Sequence, residues 1–403
     1  MKFNNVGRVA LVTASALILA SLFTACNPVT IDYVYVAGSK ANPGQVEVFE
    51  IDRVSGAMSQ IGSIVSSGGP NPVSLAISLT YHYIYAANQG NNTIVQFNIN
   101  PDGTLQPGPS VTLASEGLSP VSIITNNAAT LLYVVSSLQP GCTTATAGAA
   151  TCNGGALAVF PLSATGALGA PIANGNLNYW PIGINPTAVA ASQDGLHVYA
   201  TTYDPAAGLG YMYDYNATPA GVLTPVPGSP EYAGVKPSGM IVDPTSRFVY
   251  TTDFAQNEII AYTIESTGLL LPLINGPFKT GNEPSAITID PRGIYLYVSN
   301  ELDNTVSAYE ITLATGTPTA AVNTSGTQAN VTATAPVSLV VDPGFGRYVM
   351  TANYLDNSLS AFQINGSTGT LSPGLNGPYP SVALPTSIVS IPRGNHAIQV
   401  NQR

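Results

Sequence analysis

The chain has 403 residues, of which only 8% are charged, against roughly 25% in typical soluble domains. Its 39 Gly and 32 Pro residues exclude a mainly helical protein, because both residue types interrupt helices. A formal net charge of −10 at pH 7 excludes a surface that attracts nucleic acid or anionic lipid. This composition is typical of an all-β protein outside the cytoplasm.

The N-terminus has the pattern of a bacterial lipoprotein signal. A basic stretch precedes an apolar run over residues 9–22, which is too short for a membrane span of about 20 residues. Cys26 directly follows small residues, as in the lipobox of bacterial lipoproteins. We therefore predict a signal peptide over residues 1–26 and lipidation of Cys26, whose acyl chains would anchor the protein to a membrane. Ordinary cleavage that leaves Cys26 free is the alternative. Asn27 favours the outer membrane if the host has two membranes.

The remaining chain is predicted to consist of a short tether over residues 27–31 and one domain over residues 32–403. Loss of Lys2 and Arg8 with the signal would change the net charge from −10 to −12. We therefore expect no nucleic-acid partner, and we expect a monomer.

Two cysteines remain in the predicted mature domain. Cys142 and Cys152 bracket a loop rich in Thr, Ala and Gly. In an oxidising compartment we expect them to form a local disulfide. A metal site is the weaker alternative, because no His or further Cys lies near them in sequence.

One unit recurs seven times along the domain. Each unit begins with a strand that has a large apolar or aromatic anchor residue at its centre, and the anchors are Tyr35, Tyr85, Tyr133, Tyr199, Tyr250, Tyr297 and Met350. A second strand follows each anchor strand, over Val46–Ile51, Thr93–Ile99, Ala156–Leu162, Gly210–Tyr215, Glu258–Ile264, Thr305–Ile311 and Ser358–Ile364.

The unit is completed by two shorter strands. A turn that contains Gly leads into a third strand in most units. A proline then opens a small apolar strand, at Pro72, Pro120, Pro186, Pro237, Pro284, Pro336 and Pro385. We name the strands a (led by proline), b (with the anchor), c and d.

Seven units of four strands predict an all-β fold, a seven-bladed β-propeller with four antiparallel strands per blade. A single blade leaves its faces open, and stacking the blades in a ring buries them. The chain starts on an anchor strand and ends with Pro385–Ile391 and His396–Val400. We therefore expect strands from both termini to close the ring. A linear solenoid is disfavoured because the sequence has no capping repeats.

The repeats from Asp32 to Val400 resemble the lactonase family of seven-bladed propellers, which includes 6-phosphogluconolactonase. The most specific segment runs from Tyr297 to Val306 and is similar to that family's strand, Asn-Glu-Leu, turn and strand. The repeats also resemble surface propellers with YVTN-type repeats, for which binding is supposed. The resemblance therefore implies the fold, and leaves open whether the protein binds or hydrolyses its ligand.

In antiparallel blades, the start of strand a, the end of b, the start of c and the end of d share one face, which we call the d–a face. The pattern places acidic and aromatic loop residues on this face and the arginines and histidines on the other. An acidic rim with aromatic platforms suits neutral or cationic ligands and sugar rings. The predicted ligand-binding residues are Lys236, Asp253, Trp180, Tyr203 and Tyr354.

Lactone hydrolysis needs a base that activates water and a donor that stabilises the oxyanion. Glu301 is the predicted base, Glu283 is the neighbouring carboxylate that raises its pKa, and Lys236 is the donor. In the resembled enzymes an Arg-His pair begins strand a just before the Asn-Glu-Leu segment, and here Ser285 and Ala286 stand at those positions. A phosphorylated lactone would meet carboxylates with little positive charge, so we do not expect 6-phosphogluconolactonase activity.

The sequence thus predicts a lipid-anchored, extracytoplasmic propeller that binds a small neutral ligand, a glycan or a protein on its d–a face. The alternative is a hydrolase of a neutral lactone that uses Glu301. We predict no cofactor and no metal. A divalent cation held by carboxylates in the central channel is possible but not favoured. The predicted membrane contact is made through lipidated Cys26.

Overall fold

A computed structural model of the chain describes residues 30–142, 152, 154–322 and 329–393. Cys26 and the segment His396–Val400, for which we predict lipidation and a strand, lie outside these residues. Within them the chain is built of strands and turns, with one short 3₁₀ turn at Gln89–Asn91. No helix in these ranges has the length and hydropathy that a membrane crossing requires.

All strands of the first three blades except the closing strand of blade 1 come from the first half of the chain. They are β1 (Thr30–Gly38), β2 (Gln45–Asp52), β3 (Met58–Ser66), β4 (Pro72–Ile77), β5 (Tyr83–Asn88), β6 (Thr93–Ile99), β7 (Leu105–Thr112), β8 (Leu118–Thr125), β9 (Leu131–Leu138), β10 (Gly155–Pro161) and β11 (Trp180–Ile182).

Blades 4 and 5 follow. They contain β12 (Pro186–Ala191), β13 (His197–Asp204), β14 (Leu209–Ala217), β15 (Leu223–Pro225), β16 (Glu231–Tyr232), β17 (Pro237–Val242), β18 (Phe248–Asp253), β19 (Glu258–Ile264), β20 (Leu270–Pro272) and β21 (Phe278–Lys279).

Blades 6 and 7 and the closing strand complete the ring. They contain β22 (Pro284–Ile289), β23 (Tyr295–Asn300), β24 (Thr305–Thr312), β25 (Thr317–Ala320), β26 (Ala329–Val331), β27 (Pro336–Val341), β28 (Tyr348–Asn353), β29 (Ser358–Ile364), β30 (Leu371–Pro373), β31 (Tyr379–Pro380) and β32 (Pro385–Pro392).

These strands form seven antiparallel sheets, and the a strands of neighbouring blades lie side by side around the centre. Blade 1 is closed by chain ends, because β32 pairs with β1 in the order β3-β2-β1-β32. The predicted seven-bladed propeller is therefore confirmed. Blades 4 to 7 add one detail: two short strands in succession, such as β20 and β21, both pair with strand c and share the outermost position.

Four anchor tyrosines, Tyr35, Tyr85, Tyr250 and Tyr297, connect their blades to the next. Tyr85 is fully buried, and its hydroxyl donates a hydrogen bond of 2.7 Å to the carbonyl of Gly166 in the c–d turn of the following blade. Tyr35 bonds Gly103 in the same way, at 3.0 Å. Gly103 has a φ of 84°, and a Cβ there would lie 2.4 Å from the ring of Tyr33, so only glycine fits this contact.

Serine and threonine hydroxyls join the a strands around the channel. In four blades a serine two residues after the proline accepts the backbone N–H of the next a strand, in the pairs Leu75 to Ser387, Ile123 to Ser74, Val189 to Ser122 and Ile388 to Ser338. In blades 5 and 6 the preceding residue donates instead, from Ser238 to Pro284 O and from Ser285 to Pro336 O. Hydrogen bonds of buried polar groups therefore join neighbouring a strands along the channel wall.

Two buried acids depart from this pattern of satisfied groups. Asp32 on β1 is fully buried, and burial together with the neighbouring Asp342 raises its pKa to about 9. Asp214 on β14 is 1% exposed, and burial together with Glu231 raises its pKa to about 8. Both carboxyls are therefore mainly protonated at neutral pH.

The hydrogen bonds between blades lead to a matched pair of variants. Tyr85→Phe leaves the buried Gly166 carbonyl without its donor and should lower the free energy of unfolding by about 1 kcal/mol. Tyr199→Phe is the control, because the buried Tyr199 hydroxyl has no hydrogen-bond partner among the described residues, and it should cost less than about 0.5 kcal/mol. Urea unfolding measures both, and equal losses would contradict the role assigned to the bond.

The buried acids predict that the protein loses stability as the pH rises. The folded-state pKa values of Asp32 and Asp214 lie above the unfolded value of 3.8. Their contribution to the free energy of unfolding is therefore fully present below pH 3.8, and it is lost progressively as the pH rises through about 9 for Asp32 and about 8 for Asp214. The free energy of unfolding should therefore fall steadily over this pH range, with both acids contributing to the slope. Urea unfolding from pH 4 to 9 tests this, and Asp214→Ala should make the slope shallower. An unchanged slope in this variant would contradict the assignment.

Candidate functional site

Two positions of every blade meet on the d–a face beside the channel: the residue before the leading proline of strand a, and the fourth residue after the anchor of strand b. We call these residues the mouth ring. In six blades the N–H of the second donates to the carbonyl of the first at 2.8 to 3.3 Å. In blade order the ring consists of Leu384 and Ser39, Asn71 and Gln89, Ser119 and Ser137, Asn185 and Tyr203, Lys236 and Phe254, Glu283 and Glu301, and Ala335 and Tyr354.

The fold itself places Glu283 in the ring. Its φ is 53°, in the left-handed region that costs a side-chain-bearing residue about 1–2 kcal/mol. Its N–H donates 2.8 Å to the side-chain oxygen of Asn257, which lies in the b–c turn of the preceding blade. The same link holds Ser119 to Asn92, Ala335 to Asn304 and Leu384 to Asn357. A contact between neighbouring blades therefore stabilises this backbone conformation.

Lys236 is held differently, and this changes the role predicted for Asp253. The b–c turn of blade 4 has Gly208 where blades 2, 5, 6 and 7 have asparagine, so no amide side chain at that position bonds the N–H of Lys236. Asp253 accepts that N–H at 3.1 Å and the N–H of Val235 at 2.6 Å. Its carboxylate also accepts two N–H groups of the turn after β18, and it is fully buried. The prediction that Asp253 binds a ligand is therefore corrected: Asp253 positions Lys236.

Glu301, Glu283 and Lys236 form one electrostatic group. Glu301 is half-buried, and burial, followed by the charge of Glu283, raises its pKa above the ordinary value. The Lys236 ammonium acts in the opposite direction and lowers it. Lys236 Nζ lies 4.1 Å from the centre of the Phe254 ring, an attractive cation–π contact. The three charged residues predicted from the sequence are thus brought together.

Aromatic side chains flank this group in the mouth ring. Tyr203 and Tyr354 are half-buried and hold the same ring position in blades 4 and 7 that Glu301 holds in blade 6. Phe254 holds that position in blade 5 and was not among the predicted ligand-binding residues. It is found by counting four residues from the anchor Tyr250. At the same ring position blades 1 to 3 have the polar residues Ser39, Gln89 and Ser137, and Gln89 accepts a hydrogen bond of 2.9 Å from the side-chain amide of Asn71.

Trp180 does not belong to this site, and its predicted ligand-binding role is corrected. It lies on β11, is 3% exposed, and its Nε1 donates 2.9 Å to the carbonyl of Leu223 in the next blade. Its ring packs in the apolar core between blades 3 and 4, with Leu157 and Val189 among its neighbours. The position at the start of an outer strand suggested a loop, whereas the indole is the apolar filling between two blades.

The arginines and histidines among the described residues occupy the opposite face. Arg247, for example, bonds the Leu313 carbonyl in the c–d turn of the next blade at 2.7 Å. At the two positions where the resembled enzymes have Arg-His, Ser285 links blades 6 and 7 and Ala286 has no polar group. The cation that acts on the pKa of Glu301 is Lys236.

Two further observations concern the surroundings. In the described residues no group of three or more His, Cys, Asp and Glu side chains is arranged to hold a metal ion. Cys142 and Cys152 form a disulfide with Cα atoms 5.6 Å apart, and both pack near Leu138 at the end of β9. The disulfide closes the loop that follows Ser137 of the mouth ring.

Comparison with known proteins gives a family match. The profile of a family described as "Lactonase, 7-bladed beta-propeller" matches residues 24–123 and 183–402. The unmatched segment between them holds most of blade 3, including the disulfide. No curated protein matches the chain in sequence.

Solved structures share the fold over nearly the whole chain. A periplasmic gluconolactonase from Pseudomonas aeruginosa has a TM-score of 0.72 and 17% identity, over 90% of this chain and 99% of its own. A candidate 6-phosphogluconolactonase from Bacteroides fragilis has a TM-score of 0.70 and 17% identity, over 90% and 98%. A protein from Lactobacillus plantarum has a TM-score of 0.68 and 17% identity, over 90% and 99%. At such identities the likeness shows the fold alone.

The electrostatic group predicts how the pKa of Glu301 responds to its neighbours. Glu283→Gln removes a negative charge and should lower the pKa of Glu301, whereas Lys236→Met removes a positive charge and should raise it. Carboxyl titration by NMR, with ¹³C-labelled glutamate, measures both shifts. Glu265→Gln, in an exposed turn on the opposite face, should leave the pKa unchanged. Shifts of the same sign in the Glu283 and Lys236 variants would contradict the arrangement.

Proposed function

Because this chain belongs to the lactonase family of seven-bladed β-propellers, we propose that it hydrolyses a neutral, unphosphorylated lactone at the mouth ring. The observation that supports the proposal most strongly is the grouping of Glu301, Glu283 and Lys236. It combines a carboxylate whose pKa is raised toward neutrality with a nearby ammonium, which are the base and the donor that ester hydrolysis requires.

In the proposed reaction the Glu301 carboxylate takes a proton from a water molecule while the water oxygen bonds to the lactone carbonyl carbon. The carbonyl electron pair moves to oxygen, and the Lys236 ammonium stabilises the resulting oxyanion. When the pair returns, the ring C–O bond breaks, and protonated Glu301 gives its proton to the leaving alkoxide. The product is an open-chain hydroxy acid. Glu283 contributes by raising the pKa of the base.

The charge of the ring indicates the class of lactone. Its two carboxylates, Glu283 and Glu301, outnumber its one cation, Lys236. A phosphate group would be repelled by this arrangement, whereas a neutral lactone is not. Tyr203, Phe254 and Tyr354 provide flat apolar faces of the kind against which sugar rings pack. We therefore infer a neutral sugar lactone as the substrate.

We also infer a location outside the cytoplasm. The Cys142–Cys152 disulfide supports this inference, since disulfides persist mainly in oxidising compartments. The similar structure from Pseudomonas aeruginosa carries the name of a periplasmic enzyme. A lipid anchor at Cys26, with sorting to the outer membrane, remains our proposal for how the protein is held there.

A second candidate function is binding without hydrolysis, of a glycan or another neutral ligand. It is favoured by Ser285 and Ala286, which leave Glu301 without the basic pair found in the resembled enzymes. In that case Tyr203 and Tyr354 would supply most of the affinity, and Glu301 would accept a hydrogen bond from a ligand hydroxyl.

The test measures acid release above the uncatalysed rate, with protein from Asn27 onward. The substrates are glucono-1,5-lactone, other neutral lactones and a phosphorylated lactone. Glu301→Gln should lower kcat/KM by about 10²–10⁴-fold, because it removes the general base. Lys236→Met should lower kcat by about 10²-fold or more, because it removes the oxyanion donor. The phosphorylated lactone should be the poorer substrate.

Glu265→Gln is the matched control and should retain full activity, since it changes a carboxylate on the opposite face. Turnover that survives Glu301→Gln would overturn the assignment of the base. Binding of a neutral lactone or sugar without turnover, weakened by Tyr203→Ala and Tyr354→Ala, would replace hydrolysis with the second candidate function.

A further inference from the structure

A second pocket lies on the outer side of the ring, between blades 4 and 5 and away from the mouth ring. It has a volume of about 220 Å³. Its apolar wall includes Pro272, Leu273 and the ring of Tyr262, and its polar residues include Glu231 and Glu258. Since a water molecule in the liquid occupies about 30 Å³, the pocket has room for a compact molecule of roughly seven non-hydrogen atoms.

A buried carboxyl group lies near this pocket on β14, two residues along the strand from Met212, which pairs with Glu231. Asp214 is 1% exposed, and neither of its oxygens has a hydrogen-bond partner among the described residues. It interacts electrostatically with Glu231 and with Tyr262, both of which line the pocket. A carboxyl group without a donor in an apolar interior destabilises the folded protein. It therefore requires an explanation beyond packing.

Comparison of the blades shows that the acid is specific to this place. Asp214 pairs across the strands with the anchor Tyr199. The residue in the same register with the other anchors is alanine, valine or glutamine, namely Val48, Gln96, Val159, Ala261, Ala308 and Ala361. The fold at this register therefore needs no acid.

The charges around the pocket are incompletely balanced. Glu258 is paired with Lys279, whose Nζ lies 2.9 Å from its carboxylate. No ion pair to Glu231 is found in the described residues, and the Tyr262 hydroxyl donates to the backbone carbonyl of Tyr232. The pocket thus has apolar and aromatic walls and one carboxylate, Glu231, that forms no ion pair within the described part of the chain. The buried Asp214 carboxyl nearby finds no donor there either.

We propose that this pocket binds a small organic ammonium ion, with its apolar part against Leu273 and Tyr262 and its charged group at the Glu231 carboxylate, near the buried Asp214. An ammonium group brings up to three donors to acceptors that lack them. An aromatic wall adds a cation–π attraction. A bare metal ion fits less well, because its ligands would be few and the rest of the wall is apolar. The proposal is independent of lactone hydrolysis.

The test uses cyclohexylammonium, which has seven non-hydrogen atoms, and cyclohexanol as its neutral analogue of the same size. Calorimetric titration of the full mature protein should give a dissociation constant for the ammonium at least about tenfold lower than for the alcohol, because a hydrogen bond to a charged group is stronger than one between neutral groups. Glu231→Gln should weaken ammonium binding by about tenfold. Leu273→Trp, which fills the cavity, should abolish binding of both molecules.

Two control variants and one further test variant complete the experiment. Glu265→Gln should leave ammonium binding unchanged, and Glu301→Gln should also leave it unchanged because it alters the mouth ring. Asp214→Ala, which introduces the residue found in three other blades, should weaken binding of the ammonium more than that of the alcohol. Equal affinities for the two probes, binding that survives Leu273→Trp, or binding that is lost in Glu301→Gln would overturn the proposal.

Discussion

Hydrogen bonds that cross from one blade to the next are the interaction on which this structure depends. They act at three levels of the ring. Anchor tyrosines such as Tyr85 donate to a glycine carbonyl in the following blade, hydroxyls such as that of Ser285 join the a strands, and turn asparagines such as Asn257 hold the start of the next blade. Apolar contacts between blades are not directional, and these bonds give the blades their register.

The same bonds create the mouth ring as a set of equivalent backbone positions. Because a neighbouring blade holds the start of strand a, the side chains there can change without moving the backbone. Most blades use this freedom for neutral residues, and the charged ring residues lie in the adjacent blades 5 and 6. Burial, followed by the charge of Glu283, raises the pKa of Glu301, and the Lys236 ammonium lowers it.

Two buried aspartates show that the hydrogen-bond donors around a carboxyl group decide whether its burial is compensated. Asp253 accepts four backbone N–H groups and so replaces the missing asparagine of the preceding turn. Asp214 is equally buried, yet neither oxygen finds a donor in the described chain, and its pKa rises to about 8. The first is explained by the architecture of the blade. The second is the group for which an external ligand is the simplest partner.

The sequence by itself determined the fold, because a repeated anchor, a leading proline and a period of two along each strand are local properties of the chain. The c strands of blades 2, 5 and 7 begin and end where the repeat predicted. The tertiary structure alone decided which side chains meet. Trp180 and Asp253 follow the same loop pattern as Tyr203 and Lys236, but the packing of neighbouring blades buries the first two and leaves the others at the mouth. Burial of a loop residue depends on the blade beside it, which strand periodicity does not encode.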